Sequence, residues 1–170
     1  YNQHQVLFVV LGITAAIISF TLGFMVSIKV FFCVFFAALF GIAYKISIFP
    51  KNFPSIVRYR SLEQIPGSKE IFISIAWAVS AGLIPFLGSS VRFSPALPIV
   101  LIFTFSMAFI RTSLLGVEDV LGDRIVRKET IPIAIGKTKT KQLLIAISGV
   151  LAILLIVSPM IGLSSTLSFY

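Results

Sequence analysis

Asp119 and Asp123 stand four residues apart in the string Gly116-Val-Glu-Asp-Val-Leu-Gly-Asp-Arg-Ile-Val-Arg-Lys-Glu-Thr-Ile-Pro-Ile-Ala-Ile-Gly-Lys137. If the segment is helical, the two carboxylates share one face, one turn apart. Empty, such a pair repels itself modestly; with a divalent cation between or above it, the pair becomes favourable. Carboxylate oxygens suit hard ions, and Mg²⁺ takes one or two carboxylates together with phosphate oxygens. Arg124, Arg127 and Lys128 follow closely, and Arg111 lies two turns before Glu118. Acids that hold Mg²⁺ beside bases that hold an anion match the needs of a diphosphate. Taken alone, D-x-x-x-D also fits a solvated loop of mixed charge.

Composition says what must position these residues. Of 170 residues, 58% are hydrophobic and 12% charged, about half the charge of a soluble domain. That leaves too few polar residues to cover a soluble surface and too much apolar material for disorder. An integral membrane protein remains. The single cysteine, Cys33, excludes an intrachain disulfide and a thiolate zinc site. The single histidine, His4, argues against a His-based metal site or a Ser-His-Asp triad. The net charge of +8 does not read as nucleic-acid binding, because the bases lie between apolar runs rather than on a soluble face.

Five stretches, at about 6–28, 30–49, 71–87, 95–110 and 143–163, reach the ~20 apolar residues that cross ~30 Å of hydrocarbon. Lys29 alone separates the first two and predicts a tight turn. Two polar segments, 45–70 and 111–142, separate the others. Pro50, Pro54, Pro66 and Gly67 punctuate the first, and 55–62 could form an amphipathic interfacial helix. In the second, 112–124 lacks proline and predicts continued helix from the fourth span, broken at Ile131-Pro132.

With one crossing per span, both polar segments lie on one side. They hold all six acids and twelve of the fourteen bases: Lys45, Lys51, Arg58, Arg60, Lys69, Arg111, Arg124, Arg127, Lys128, Lys137, Lys139 and Lys141. Only Lys29 and Arg92 lie opposite. The positive-inside rule makes 45–70 and 111–142 cytoplasmic loops of a protein in the cytoplasmic membrane. Acids at a membrane edge are costly unless solvated, paired or coordinating a cation.

D-x-x-G-D-R, followed by K-x-T-I-P and G-K, resembles the second aspartate motif of the UbiA superfamily of intramembrane prenyltransferases. Upstream, Gly41-x-x-Tyr44, Tyr59-Arg-Ser-Leu62, Ile65-Pro-Gly-Ser-Lys69 and Ile75-Ala-Trp77 resemble that family's middle portion. The resemblance implies one all-α polytopic transmembrane bundle over 1–170, with about five spans present of a larger fold of about nine. It also implies Mg²⁺-dependent transfer of a prenyl group from a prenyl diphosphate to an acceptor, often an aromatic ring, within the lipid. Asp119 and Asp123 match the metal-binding, catalytic positions. Arg124 and Lys128 match basic positions that contact diphosphate or brace the loop. Lys69 and Tyr44 are weaker candidates for the segment that closes over the diphosphate; a snorkelling lysine and an interface-belt tyrosine fit them as well.

This sequence departs from the family pattern in three ways. It lacks the N-D-x-x-D first motif, which implies a C-terminal-side portion that is inactive by itself. Arg127 stands where relatives commonly have glycine, and Glu63 where many have a base. The competing class is a non-enzymatic membrane protein, such as a transporter with a charged cytoplasmic mouth. Transporters place ionisable groups near mid-membrane, whereas the midspans here are nearly bare, and Ser19, Thr21, Ser106 and Ser148 are ordinary helix-packing residues.

Overall fold

The computed structural model describes residues 2–45, 62, 65–89, 94–120, 130–160 and 162. Regular structure among them is entirely helical. In chain order, α1 is Asn2–Val26, α2 Ile28–Lys45, α3 Ser68–Ala78, a π-helical turn Val79–Leu83, α4 Ile84–Gly88, α5 Ala96–Glu118, α6 Ile131–Ile135 and α7 Lys137–Met160. The interfacial helix expected over 55–62 lies outside the described residues, apart from Leu62.

Helices α1 and α2 form a hairpin that turns at Ser27. The Ser27 hydroxyl accepts the Val30 N–H at 3.2 Å and donates to the Leu87 carbonyl at 3.4 Å. It thereby caps α2 and ties the hairpin to the end of α4. Sequence alone puts the turn at Lys29, which instead sits in the first turn of α2. A serine supplies the acceptor that an orphan helix N–H needs, and a lysine has none. Along the hairpin, the ring of Phe31 lies 6.0 Å from both Phe20 and Phe24.

Four helical stretches are long and apolar enough to cross a membrane: Val6–Val26, Ser68–Gly88, Ala96–Glu118 and Lys137–Met160. They correspond to the first, third, fourth and fifth expected spans. The second is shorter, since the 18 residues of α2 extend about 27 Å. Its expected continuation over 46–49 lies outside the described residues. Helix α7 starts at Lys137, well ahead of the expected 143. Lys137, Lys139 and Lys141 are exposed on it, so the helix outruns its apolar stretch.

Ser68 to Gly88 runs as one rod with a widened turn in it. Pro85 has no N–H to return to Ala81, and its ring crowds that carbonyl. The chain responds with the π-turn, in which the Ile84 N–H reaches back to the Val79 carbonyl. Upstream, Glu70, Ser74, Ala78 and Gly82 form a buried stripe at four-residue spacing. It packs on α5 in the most extensive helix pair among the described residues. Small residues let the two backbones approach: a Cβ on Gly82 would sit 2.8 Å from Leu101 Cδ2. Helix α5 contributes Ile99, Ser106, Phe109, Ser113 and Gly116 to its buried face and also packs on α7.

One expectation is corrected at the end of α5. The helix does not run on to 124. It stops at Glu118, and Asp119 leaves helical geometry with φ −98° and ψ 22° while its N–H bonds the Leu115 carbonyl at 3.1 Å. Val120 is helical again, and Asp123 lies outside the described residues. Acids are disfavoured at the negative end of a helix dipole, and a short polar side chain competes for the backbone there. A lack of proline is not enough to carry the helix through.

Candidate active site

The site is built where the ends of α2, α3, α5 and α6 meet, opposite the Ser27–Leu87 end. Its floor begins with Ile65-Pro66-Gly67-Ser68. Proline followed by glycine at the centre of four residues specifies a type II turn. Gly67 has φ 78° and ψ −2°, and the Ser68 N–H closes the turn on the Ile65 carbonyl at 3.0 Å. Helix α3 starts directly after it, which places Lys69 and Glu70 in the first turn.

Tyr44, near the end of α2, docks on this first turn. Its ring centroid lies 4.5 Å from that of Phe72, and its hydroxyl lies 3.3 Å from the Ser68 hydroxyl, within hydrogen-bonding distance. The Tyr44 hydroxyl is thus engaged as a staple between α2 and α3. Lys69, half-buried, is the residue next to that staple.

The Thr130-Ile131-Pro132 segment closes against the same turn. A Cβ on Gly67 would meet Ile131 Cγ1 at 2.7 Å, and one on Gly116 would meet Pro132 Cγ at 3.5 Å. Two strings noted in the sequence, I-P-G-S-K and T-I-P, are therefore packed face to face. The Ile131 N–H donates to Glu70 Oε1 at 3.3 Å. Glu70 is 1% exposed. Sequence reading counted it only as one acid of a polar segment. The available signal was its register: Glu70 heads the small-residue stripe of α3.

Asp119 is exposed at the end of α5, directly after the exposed Glu118, and no basic residue occupies that last turn. Two acids at a helix C-terminus add to the partial negative charge of its carbonyls. Among the described residues the last turn offers hard oxygen donors and no base, a donor type that suits Mg²⁺. No group of three or more His, Cys, Asp or Glu side chains assembles among the described residues. Asp123, Arg124 and Lys128 lie outside them. The structure thus brings Tyr44, Lys69 and the start of the aspartate string to one end of the bundle.

Two apolar hollows adjoin this end. One, of about 950 Å³, lies between α2 and the α3–α4 rod, with Lys29 at one extreme, Leu62 at the other and Phe36, Phe40 and Trp77 along it. The second, of about 540 Å³, lies between α3 and α5, where Trp77 and Met107 meet Arg111 and Thr112.

The UbiA prenyltransferase family model matches residues 4–170. The chain belongs to that family. Neither a curated protein nor a solved structure matches it. Membership implies intramembrane prenyltransferase activity at the level of the family, and the four apolar helices of spanning length agree with a membrane protein. UbiA prenyltransferases are generally Mg²⁺-dependent and act on prenyl diphosphates in a lipid environment.

Proposed function

We propose that this protein transfers a prenyl group from a prenyl diphosphate to a small aromatic acceptor, at the bundle end where α2, α3, α5 and α6 meet. The carrying observation is that α5 stops at Glu118, so the string D-x-x-G-D-R starts at the edge of an apolar span. In this reading Asp119 and Asp123 hold Mg²⁺, and Arg124, Lys128 and Lys69 neutralise diphosphate oxygens. Bound there, the metal supplies Lewis-acid stabilisation of the diphosphate leaving group. The chain's own part is to hold the acids at the lipid edge and to keep water from the prenyl carbon with apolar walls.

The charged end faces the cytoplasm in this proposal, by the excess of bases in 45–70 and 111–142. The 170 residues carry one acidic motif where the family uses two, so we expect them to be inactive without an N-D-x-x-D partner string. A transporter has less support, because the one buried ionisable side chain among the described residues, Glu70, lies at the bundle end rather than at mid-membrane.

The test is transfer from radiolabelled prenyl diphosphates to a panel of aromatic acids, using the protein in its own membranes. Asp119→Asn and Asp123→Asn should each lower turnover by about 100-fold or more, and chelation of divalent ions should abolish it. Wild-type turnover in either variant would overturn the metal assignment.

A further inference from the structure

Glu70 is the only charged side chain buried among the described residues. A carboxylate withdrawn from water must find donors, and where Glu70 finds them is informative. Its Oε1 accepts the Ile131 N–H at 3.3 Å. The same oxygen lies 3.6 Å from the point where a Cβ on Gly116 would sit. Gly116 precedes Asp119 by three residues, and Ile131 follows Lys128 by three. One carboxylate therefore bonds the chain on one side of the segment that carries Asp119, Asp123, Arg124 and Lys128, and fills the space beside Gly116 on the other.

The surroundings are polar and closed. Among the described residues, Glu70 Oε2, Ser113 Oγ and Thr130 Oγ1 are all buried without a hydrogen-bond partner. They come from α3, from the Gly116 face of α5, and from the residue that enters α6. Buried hydroxyls and carboxylates cost stability when left unpaired. No feature of helix packing alone asks for an acid at the head of the stripe formed by Ser74, Ala78 and Gly82.

We propose that Glu70 is a positioning residue for the aspartate-bearing segment. It fixes the separation of the segment's two ends by accepting the Ile131 N–H while lying in the notch left by Gly116. It acts through the backbone and does not touch substrate. The proposal rests on the reading that Asp119 and Asp123 hold the metal, but the tether itself can be tested without activity.

The experiment compares Glu70→Ala and Glu70→Gln with wild type in detergent or nanodiscs by hydrogen exchange at residue 131, and compares both and Ile131→Pro with wild type by steady-state kinetics. Glu70→Ala should speed exchange of the Ile131 amide by tenfold or more. It should lower kcat by tenfold or more and raise the Mg²⁺ concentration for half activity, with the acceptor KM within about twofold. Glu70→Gln keeps an acceptor and should stay within about threefold of wild type on every readout. Ile131→Pro removes the donor at a position preceded by extended Thr130, which a following proline accepts. It should reproduce the kinetic loss with Glu70 intact.

A folded Glu70→Ala with wild-type exchange at Ile131, or with wild-type kcat, overturns the proposal. A Glu70→Gln as impaired as Glu70→Ala overturns it too. If Glu70→Ala does not fold, the Gln and Pro variants decide. Should wild type transfer no prenyl group even alongside an N-D-x-x-D partner string, the functional reading fails, and the exchange rates still decide the tether.

Discussion

Gly67→Ala tests whether the I-P-G-S turn and the T-I-P segment are a single packed unit. Two costs can be separated. Gly67 has φ +78°, a left-handed conformation that costs an L-residue about 1–2 kcal/mol. The new Cβ would also meet Ile131 Cγ1 at 2.7 Å, against the ~3.5–4.0 Å at which carbon atoms rest. That atom is held near the backbone and cannot swing away, so Ile131 must shift by about 1 Å, at a cost of about 1–3 kcal/mol. The sum is about 2–5 kcal/mol, or a fall in Tm of roughly 5–15 °C. Thermal unfolding in detergent, followed by fluorescence of Trp77, the only tryptophan, reads it out. Gly136→Ala meets open space and carries backbone strain alone, at φ +86° and ψ 155°, a conformation that is essentially glycine's own; Gly12→Ala has neither cost. Both Gly67→Ala and Gly136→Ala should melt below Gly12→Ala. A Gly67→Ala protein that melts with wild type would refute the contact.

Three further outcomes follow from the geometry. Ser27→Ala loses the cap on Val30 and the bond to Leu87 and should destabilise the protein by about 0.5–2 kcal/mol, measured by the same melting. Tyr44→Phe keeps the ring on Phe72 and loses only the Ser68 partner, so turnover should stay within about threefold; a fall of more than tenfold would show that the hydroxyl acts on substrate. Gly82→Ala clashes with the mobile end of Leu101 and makes ordinary contact with Val100, so it should melt within about 3 °C of wild type, whereas Gly82→Leu must force α3 from α5 and should lower Tm by about 5 °C or more.

Apolar run length made the helices legible, because a spanning helix must satisfy its own backbone in lipid. Four of the five runs became helices of spanning length. Helix ends were less legible, since hydropathy registers the part that lipid covers and not the part that is helical. Lys137 to Gln142 extend α7 on the polar side, and Ser68 to Glu70 extend α3. The π-turn was hidden because Pro85 sits in a run that hydropathy reads as uniform. At the site, the sequence pointed to Asp119, Lys69 and Tyr44, and the structure brings these to one end. It also pointed to an unbroken helix from the fourth span through Asp119, whereas α5 ends at Glu118. Glu70 escaped because an acid in a polar segment reads as solvated, and only the docking of Ile131 and Gly116 takes it out of water.

The hollow between α2 and the α3–α4 rod has an energetic consequence. It is tied at one end by Ser27 and Leu87 and at the other by Tyr44 and Ser68, and the exposed rings of Phe36, Phe40 and Trp77 border it. A chain that enters sideways leaves hydrocarbon, not water. Leaving water would yield about 0.8 kcal/mol per methylene; exchanging lipid tails for phenylalanine and leucine yields close to nothing. Added length is then thermodynamically silent in this hollow. Any preference among amphiphiles must be decided at their polar ends.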